Sequence, residues 1–361
     1  MNYLEKLNQA WQDHLVPKSK DAPTVISTFA GCGGSSLGYS SAGYRELLAV
    51  EWDKHAVETF RRNFPKVPVY HGDIGKLTVE QCLEMARIRS GELDVFDGSP
   101  PCQGFSTSGK RAFTDNRNQL FKEYVRLLRG LKPKVFVMEN VSGMVKGKMK
   151  LIFAEIMKEL KASGYQVSAR LLNASHYGVP QARERVIFIG VRNDLGILPS
   201  HPLGSNNVIT AKEALRDCTP SEIMPLVGKN LTKMQLIRPG APYKEKKRAS
   251  LAVFGKVSGF TLIRFKWNAP APTILKTVCV SPTFGAGLIM PDEDRYLSIS
   301  ELKRLGSFPD QFEITGKFEE RWARIGNSVP PLLMRSIALH IKNAILAQVK
   351  TAASPQPGAA V

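Results

Sequence analysis

Between residues 25 and 191 short apolar runs alternate with helix-spaced stretches, and this alternation limits the fold more than any other feature of the chain. The apolar runs fall at 25–29, 47–50, 67–70, 93–97, 134–138, 167–172 and 186–191. Helical spacing occupies 54–63, 78–89, 120–131 and 149–163. Short buried runs separated by helices build a mostly parallel sheet with helices on both faces. The expected class is therefore α/β, doubly wound. In such a sheet, functional groups collect beyond the carboxyl ends of the strands. Gly31, Glu51, Asp73, Cys102 and Glu139 each follow an expected strand in this way.

The alternation stops near residue 191. Turns and prolines then increase, and Lys and Arg outnumber Asp and Glu by eleven to five over 192–262. Helical spacing returns near 320 and continues over 332–346. The expected domains are a polar arm or short helix at 1–22, a sheet domain from 23–191 and 320–349, a smaller irregular domain at 192–319, and a disordered tail rich in Pro, Ala and Gly at 350–361.

Composition narrows the partner. Lys and Arg total 50 against 32 Asp and Glu, a formal net charge of +18. Solubility does not require charge of one sign, so a polyanion is the expected partner, nucleic acid first. Five scattered cysteines (Cys32, Cys82, Cys102, Cys218, Cys279) with no CxxC argue against a disulfide framework and a structural zinc site. The amino-terminal residues have no apolar signal core, and no run is long enough to span a bilayer. A soluble, cytoplasmic protein is expected.

Two stretches carry chemistry. After the first strand comes FAGCGG (29–34), a glycine turn entering a helix, and Glu51 lies twenty residues past Gly31. An acidic group at that spacing meets ribose hydroxyls in NAD or S-adenosylmethionine sites; the glycines do not follow GxGxxG, which weakens the nicotinamide reading. Asp73 suits an adenine amino group, and Phe29 and Trp52 suit the faces of its ring, although either aromatic alone is more often core. The second stretch is GSPPCQGFS (98–106), where two prolines stiffen the backbone before Cys102. That placement fits a nucleophile. It also fits an inert cysteine in a buried turn, and the local residues alone leave the two even.

The chain resembles the DNA (cytosine-5)-methyltransferase family along nearly its whole length. The matching pieces, in family order, are FAGCGG (29–34), EW (51–52), GDI (72–74), PPCQGFS (100–106), ENV (139–141), QARER (181–185), PTI (272–274) and GNSV (326–329). The resemblance implies a Rossmann-like, S-adenosylmethionine-dependent methyltransferase sheet plus a smaller target-recognition domain at 192–319. It implies methyl transfer to C5 of a cytosine flipped out of a specific duplex sequence, with S-adenosyl-L-homocysteine as product and no metal. Cys102 matches the nucleophile that attacks C6, Glu139 the group at N3, and Arg185 the contact to O2. Arg183 is expected near the same pocket. The base that removes the C5 proton stays unassigned between water and the loop at 103–119.

By the same resemblance the cofactor residues are Phe29, Ala30, Gly31, Gly33, Gly34, Glu51, Trp52, Asp73, Ile74, Pro101, Leu120, Asn327 and Val329. Gln103, Ser106, Ser108, Lys110, Arg111 and Arg117 are expected to close on DNA. The family often carries an acidic residue two positions before Phe29; here it is Ser27. A tRNA cytosine-5 methyltransferase on the same fold is the alternative, but that branch usually has a second proline where this chain has Gly104. A prokaryotic, nucleoid-associated protein is expected, with a cognate restriction endonuclease acting separately and no membrane partner, and a monomer is enough for a job on one base.

Overall fold

A computed structural model describes residues 1–101, 119–145, 149–257, 262–283 and 285–349. Cys102, the expected DNA-closing residues Gln103, Ser106, Ser108, Lys110, Arg111 and Arg117, and the expected tail at 350–361 lie outside the described residues. The chain divides into two compact units. One holds Gln12–Leu172, Glu184–Leu203 and Met334–Val361; the other holds Met1–Trp11, Asn173–Arg183 and Gly204–Leu333.

The first unit is built on a seven-stranded sheet. Its strands are β1 (Thr24–Thr28), β2 (Arg45–Glu51), β3 (Val69–His71), β4 (Val95–Gly98), β5 (Val135–Val141), β6 (Tyr165–Asn173) and β8 (Glu184–Arg192). Between the last two comes β7 (Gln181–Ala182), which belongs to the other unit. The order is β3-β2-β1-β4-β5-β8-β6. β1 runs parallel to β2 and β4, β2 to β3, and β4 to β5, whereas β8 runs antiparallel to β5. Strand order reverses between β1 and β4, the crevice where open α/β sheets hold ligands.

The local sequence explains these strands. β1 reads TVIST, β-branched at four of its five positions, and is buried throughout as an interior parallel strand should be. β3 starts at Val69, later than the apolar run at 67–70, because Pro68 has no N–H to give to the ladder. β5 runs three residues past the expected 138 because β8 pairs with it as far as Arg185. Helices cover the sheet: α2 (Gly34–Ser41), α3 (Lys54–Asn63), α4 (Val79–Ala86), α5 (Gln119–Leu131) and α6 (Lys150–Ala162). Asp53 caps α3 by accepting from Ala56 N, and a Thr78–Gln81 capping box starts α4. Phe96, Phe136 and Met138 from the sheet join Tyr124, Leu128, Ile156 and Leu160 from the helices in one core. Phe96 stacks on Tyr124 with ring centroids 4.9 Å apart.

The amino-terminal segment folds as α1 (Tyr3–Leu15), whose Tyr3, Leu7 and Ala10 are buried. The other unit carries α7 (Ala211–Ala214), α8 (Gly228–Gln235), α9 (Tyr243–Phe254), α10 (Ile299–Leu305) and α11 (Phe318–Asn327). Short parallel pairs join β9 (Leu262–Arg264) to β11 (Gly287–Ile289), and β10 (Ala271–Pro272) to β7. Arg295 makes a two-pronged ion pair with Glu301 at 2.8 and 2.9 Å, both side chains being buried. The expected helix at 332–346 is observed as α12 (Pro331–His340) followed by a π-helical turn, Ile341–Leu346. The division between units falls inside α12, at 333/334, and Met1–Trp11 cluster with the second unit. The expected sheet domain instead resumes at 320.

Gly190 on β8 faces Phe136 on β5, and a Cβ at Gly190 would lie 1.9 Å from the Phe136 ring. The close-packed core leaves the ring nowhere to go. Gly190→Ala is expected to lower stability by about 1–3 kcal/mol, read as a reduced urea midpoint; an unchanged midpoint would contradict this packing.

Candidate active site

The turn after β1 exposes backbone. Phe29 takes φ 55° and Gly31 φ 57°, so the chain leaves the strand sharply, and Gly33 at φ 98° starts α2. A Cβ on Gly33 would lie 2.4 Å from the Phe64 ring, whereas a Cβ on Gly31 would meet nothing within 4 Å. Open space therefore lies over bare main chain at the mouth of the switch-point crevice, as a nucleoside cofactor requires.

Glu51, the last residue of β2, is held by three main-chain donors. It accepts from Gly31 N at 2.8 Å, Trp52 N at 2.9 Å and Asp53 N at 2.8 Å. Only one of these reaches Oε2, which keeps capacity to accept from a hydroxyl. Trp52 is 77% exposed, and Phe29 packs half-buried against the core. Asp73 is exposed and accepts from Gly75 N at 2.9 Å. The Ile74 side chain is core, while its carbonyl accepts from Arg126 Nη2 at 3.1 Å. Ala30 and Gly34 are buried in the turn, Leu120 is half-buried against the core, and Pro101 is exposed. Asn327 and Val329 belong to the other unit, Asn327 exposed at the end of α11 and Val329 buried.

β4 leads toward the cysteine. A Cβ on Gly98 would lie 2.4 Å from Thr28 Oγ1 and 2.7 Å from the Tyr124 ring, so only glycine fits there. Asn140 Nδ2 donates to the Pro100 carbonyl at 3.1 Å, tying the first of the two prolines to the end of β5. Asn140 Oδ1 accepts from Val141 N at 2.9 Å. Sequence reasoning missed Asn140 as a positioning residue. Its signal was adjacency to Glu139 in the same short piece.

The antiparallel register of β5 and β8 sets Arg185 opposite Val141, diagonal to Glu139 on the same sheet face. Arg185 Nε lies 2.7 Å from Glu139 Oε1, with both side chains largely covered. A carboxyl and a guanidinium are thus fixed side by side at a strand end next to the prolines that precede Cys102. Arg183 has a different setting from the one expected. It lies in the other unit, is 2% exposed, and its Nη1 donates to the carbonyls of Ile274 at 3.2 Å and Gly326 at 3.0 Å. Gln181 Oε1 also accepts from Ile274 N at 3.1 Å. QARER, PTI and GNSV, far apart in sequence, therefore converge on Arg183.

An acidic pair, Asp97 buried and Glu46 partly so, lies on the sheet face that α2 covers and was not foreseen. Ser27 on β1 is in register with Asp97 on β4, and Val25 on β1 with Glu46 on β2. Tyr39 OH donates to Asp97 Oδ1 at 3.3 Å, and Ser36 Oγ to Glu46 Oε1 at 2.8 Å. Burial pushes the Asp97 carboxyl up to about 8, with the Glu46 charge adding to the shift. Burial likewise pushes Glu46 up to about 7.

Both acids hold protons in the folded state that the unfolded chain has released, so stability falls as pH rises toward their folded values. His14 and His201, lowered to about 4 by burial, are neutral in both states above pH 7 and drop out there. The thermal midpoint of ligand-free protein is therefore expected to fall between pH 7 and pH 8, and Asp97→Asn to flatten that fall. An identical slope in the variant would contradict the assignment.

Comparison with known proteins identifies the chain's relatives. The family model for C-5 cytosine-specific DNA methylase matches residues 23–343. The chain is 35% identical over 337 residues to the Type II methyltransferase M1.HphI of Haemophilus parahaemolyticus, covering 87% of this chain and 85% of that one. It is 33% identical over 363 residues to the Type II methyltransferase M.XorII of Xanthomonas oryzae, covering 90% and 85%. Among solved structures, a DNA modification methyltransferase encoded within an Escherichia coli prophage superposes with a TM-score of 0.67 at 28% identity, covering 89% of this chain and 99% of that one.

Proposed function

The chain belongs to the C-5 cytosine-specific DNA methylase family, and from that premise we propose how its residues divide the work of methylating cytosine C5 in duplex DNA. The observation that carries the proposal is the 2.7 Å Glu139–Arg185 contact at the strand end beside the Asn140-tethered prolines. Cytosine C5 is a weak nucleophile until a thiolate adds to C6. Cys102 supplies that thiolate and forms the bond to C6. Glu139 gives or shares a proton at N3, which neutralises the charge that addition drives into the ring. Arg185 orients Glu139 and donates to O2 through its remaining N–H groups. After methylation the C5 proton departs, electrons return to the ring, and the Cys102–C6 bond breaks.

The donor site is the turn at 29–34 with Glu51, Trp52, Asp73 and Ile74, supported by Pro101, Leu120, Asn327 and Val329. The open space over Gly31 and the spare capacity of Glu51 Oε2 suit a nucleoside with free ribose hydroxyls. S-adenosylmethionine, when bound there, supplies an electrophilic methyl group and becomes S-adenosyl-L-homocysteine. Arg183 acts as a positioning residue, holding the turn at Gly326 that precedes Asn327.

Segment 192–319 is the target-recognition region, its lysines and arginines giving phosphate contacts that position the duplex. Gln103, Ser106, Ser108, Lys110, Arg111 and Arg117 close on DNA around the flipped base. The protein works as a monomer. It protects sites that a cognate restriction endonuclease would cleave, as the Type II names of its relatives suggest.

Methyl transfer to plasmid DNA and to tRNA, run in parallel and followed by bisulfite sequencing of the plasmid, tests this reading. The expected result is label in DNA only, at cytosines in one recurring sequence, with Cys102→Ala binding donor but making no product. Label confined to tRNA, or full turnover by Cys102→Ala, would overturn it.

A further inference from the structure

The last turn of α1 belongs to the sheet unit and precedes the region matched by the family model, which starts at residue 23. His14 on that turn has no place in the steps above, yet the sheet unit holds it on three sides. Its Nδ1 lies 2.8 Å from Ser40 Oγ, near the end of α2. Its Nε2 lies 3.2 Å from the Asn63 carbonyl, at the end of α3. Its ring meets the Phe64 ring edge-on, with centroids 5.0 Å apart. A carbonyl can only accept, so Nε2 carries the proton and Nδ1 accepts from the Ser40 hydroxyl. Burial lowers the ring to about 4, which keeps this neutral form at neutral pH.

Phe64 carries the grip to the glycine turn. Its ring is buried, stacks on Phe60 with centroids 4.6 Å apart, and lies against Gly33, where a Cβ would sit 2.4 Å from it. α2 starts from Gly33, is eight residues long, and has no side-chain cap at that start. A helix so short takes its position from packing rather than from its own stability. Part of that packing is α12: a Cβ on Gly38 would lie 2.5 Å from Met334 Cβ and 2.9 Å from Arg335 N. Arg335 Nη2 in turn donates to Asp13 Oδ2 at 2.8 Å, next to His14 in the chain. His14 therefore acts on both ends of α2, on Ser40 directly and on Gly33 through Phe64.

We propose that His14 is a positioning residue for the methyl donor, holding α2 and the Gly33 turn in place from a segment that precedes the family match. This role presupposes the donor site described above. That site offers bare main chain, and main-chain groups cannot reorient one by one as side chains do. A displaced α2 misplaces them together, which weakens the donor and its demethylated product alike. Groups that face the duplex sit on other elements and are little disturbed.

Calorimetry with S-adenosylhomocysteine on full-length wild type and His14→Ala tests this, alongside duplex binding by fluorescence anisotropy and the thermal midpoint of each protein. The expected dissociation constant for S-adenosylhomocysteine is about tenfold higher in the variant, with duplex affinity kept within about twofold. An unchanged constant beside a lower thermal midpoint is what a merely structural clasp gives, and it would overturn the proposal. Equal losses of ligand and duplex affinity would overturn it too. Ser40→Ala, which removes the direct hold on α2, reads the same constants should His14→Ala fail to fold, with the same outcomes. Wild-type protein that binds no S-adenosylhomocysteine would remove the donor reading, and this role with it.

Discussion

Parallel pairing of β1 with β2 and β4, and of β4 with β5, is the constraint on which the rest of the sheet unit depends. Parallel neighbours end on the same edge, so the residue after each strand reaches a common crevice. The turn at Gly31, the carboxylate of Glu51, the prolines before Cys102 and the pair Glu139–Asn140 are neighbours for that reason alone. Sequence separations of 20 to more than 100 residues become adjacency through one ladder. The reversal of order between β1 and β4 opens the crevice between the glycine turn after β1 and the end of β4.

Antiparallel β8 adds what parallel strands cannot. It brings Arg185 back along β5 from the opposite direction and sets it diagonal to Glu139. A one-residue slip would turn Arg185 to the other face and leave a covered carboxylate without its cation. Val186, Ile187, Phe188 and Ile189, which pair with β5 in the core, hold that register. Packing in the middle of the sheet thus fixes chemistry at its end.

Much of this was legible in the sequence, and the limits have physical causes. Apolar runs located the sheet strands because buried strands need continuous apolar residues. Their ends shifted where a proline removed a donor, as at Pro68, or where a partner extended the ladder, as at Val141 and Arg185. The roles proposed for Cys102, Glu139 and Arg185 rest on short ordered motifs. Arg183 is expected near the same pocket as Arg185 from the family resemblance, yet its guanidinium meets carbonyls from 274 and 326 that no local pattern could reveal. Asp97 and Glu46 were invisible for a related reason. Each is an ordinary acidic residue next to a strand pattern, and only register across three strands places both on the face that α2 covers. The two longer helices within the segment expected to be irregular, α8 and α9, lack strong apolar periodicity and were not separated from their turns.

The central claim is that Cys102, which follows β4 in the sequence, attacks C6 of a cytosine in duplex DNA. Plasmid DNA copied with 5-fluoro-2′-deoxycytidine in place of deoxycytidine tests it directly, because fluorine at C5 cannot leave as a proton and elimination of the cysteine is blocked. After incubation with the protein and S-adenosylmethionine, proteolysis and mass spectrometry identify the attached residue. The account predicts a donor-dependent covalent adduct on the peptide that contains Cys102. Methylated DNA without an adduct, or an adduct on another residue, would contradict it.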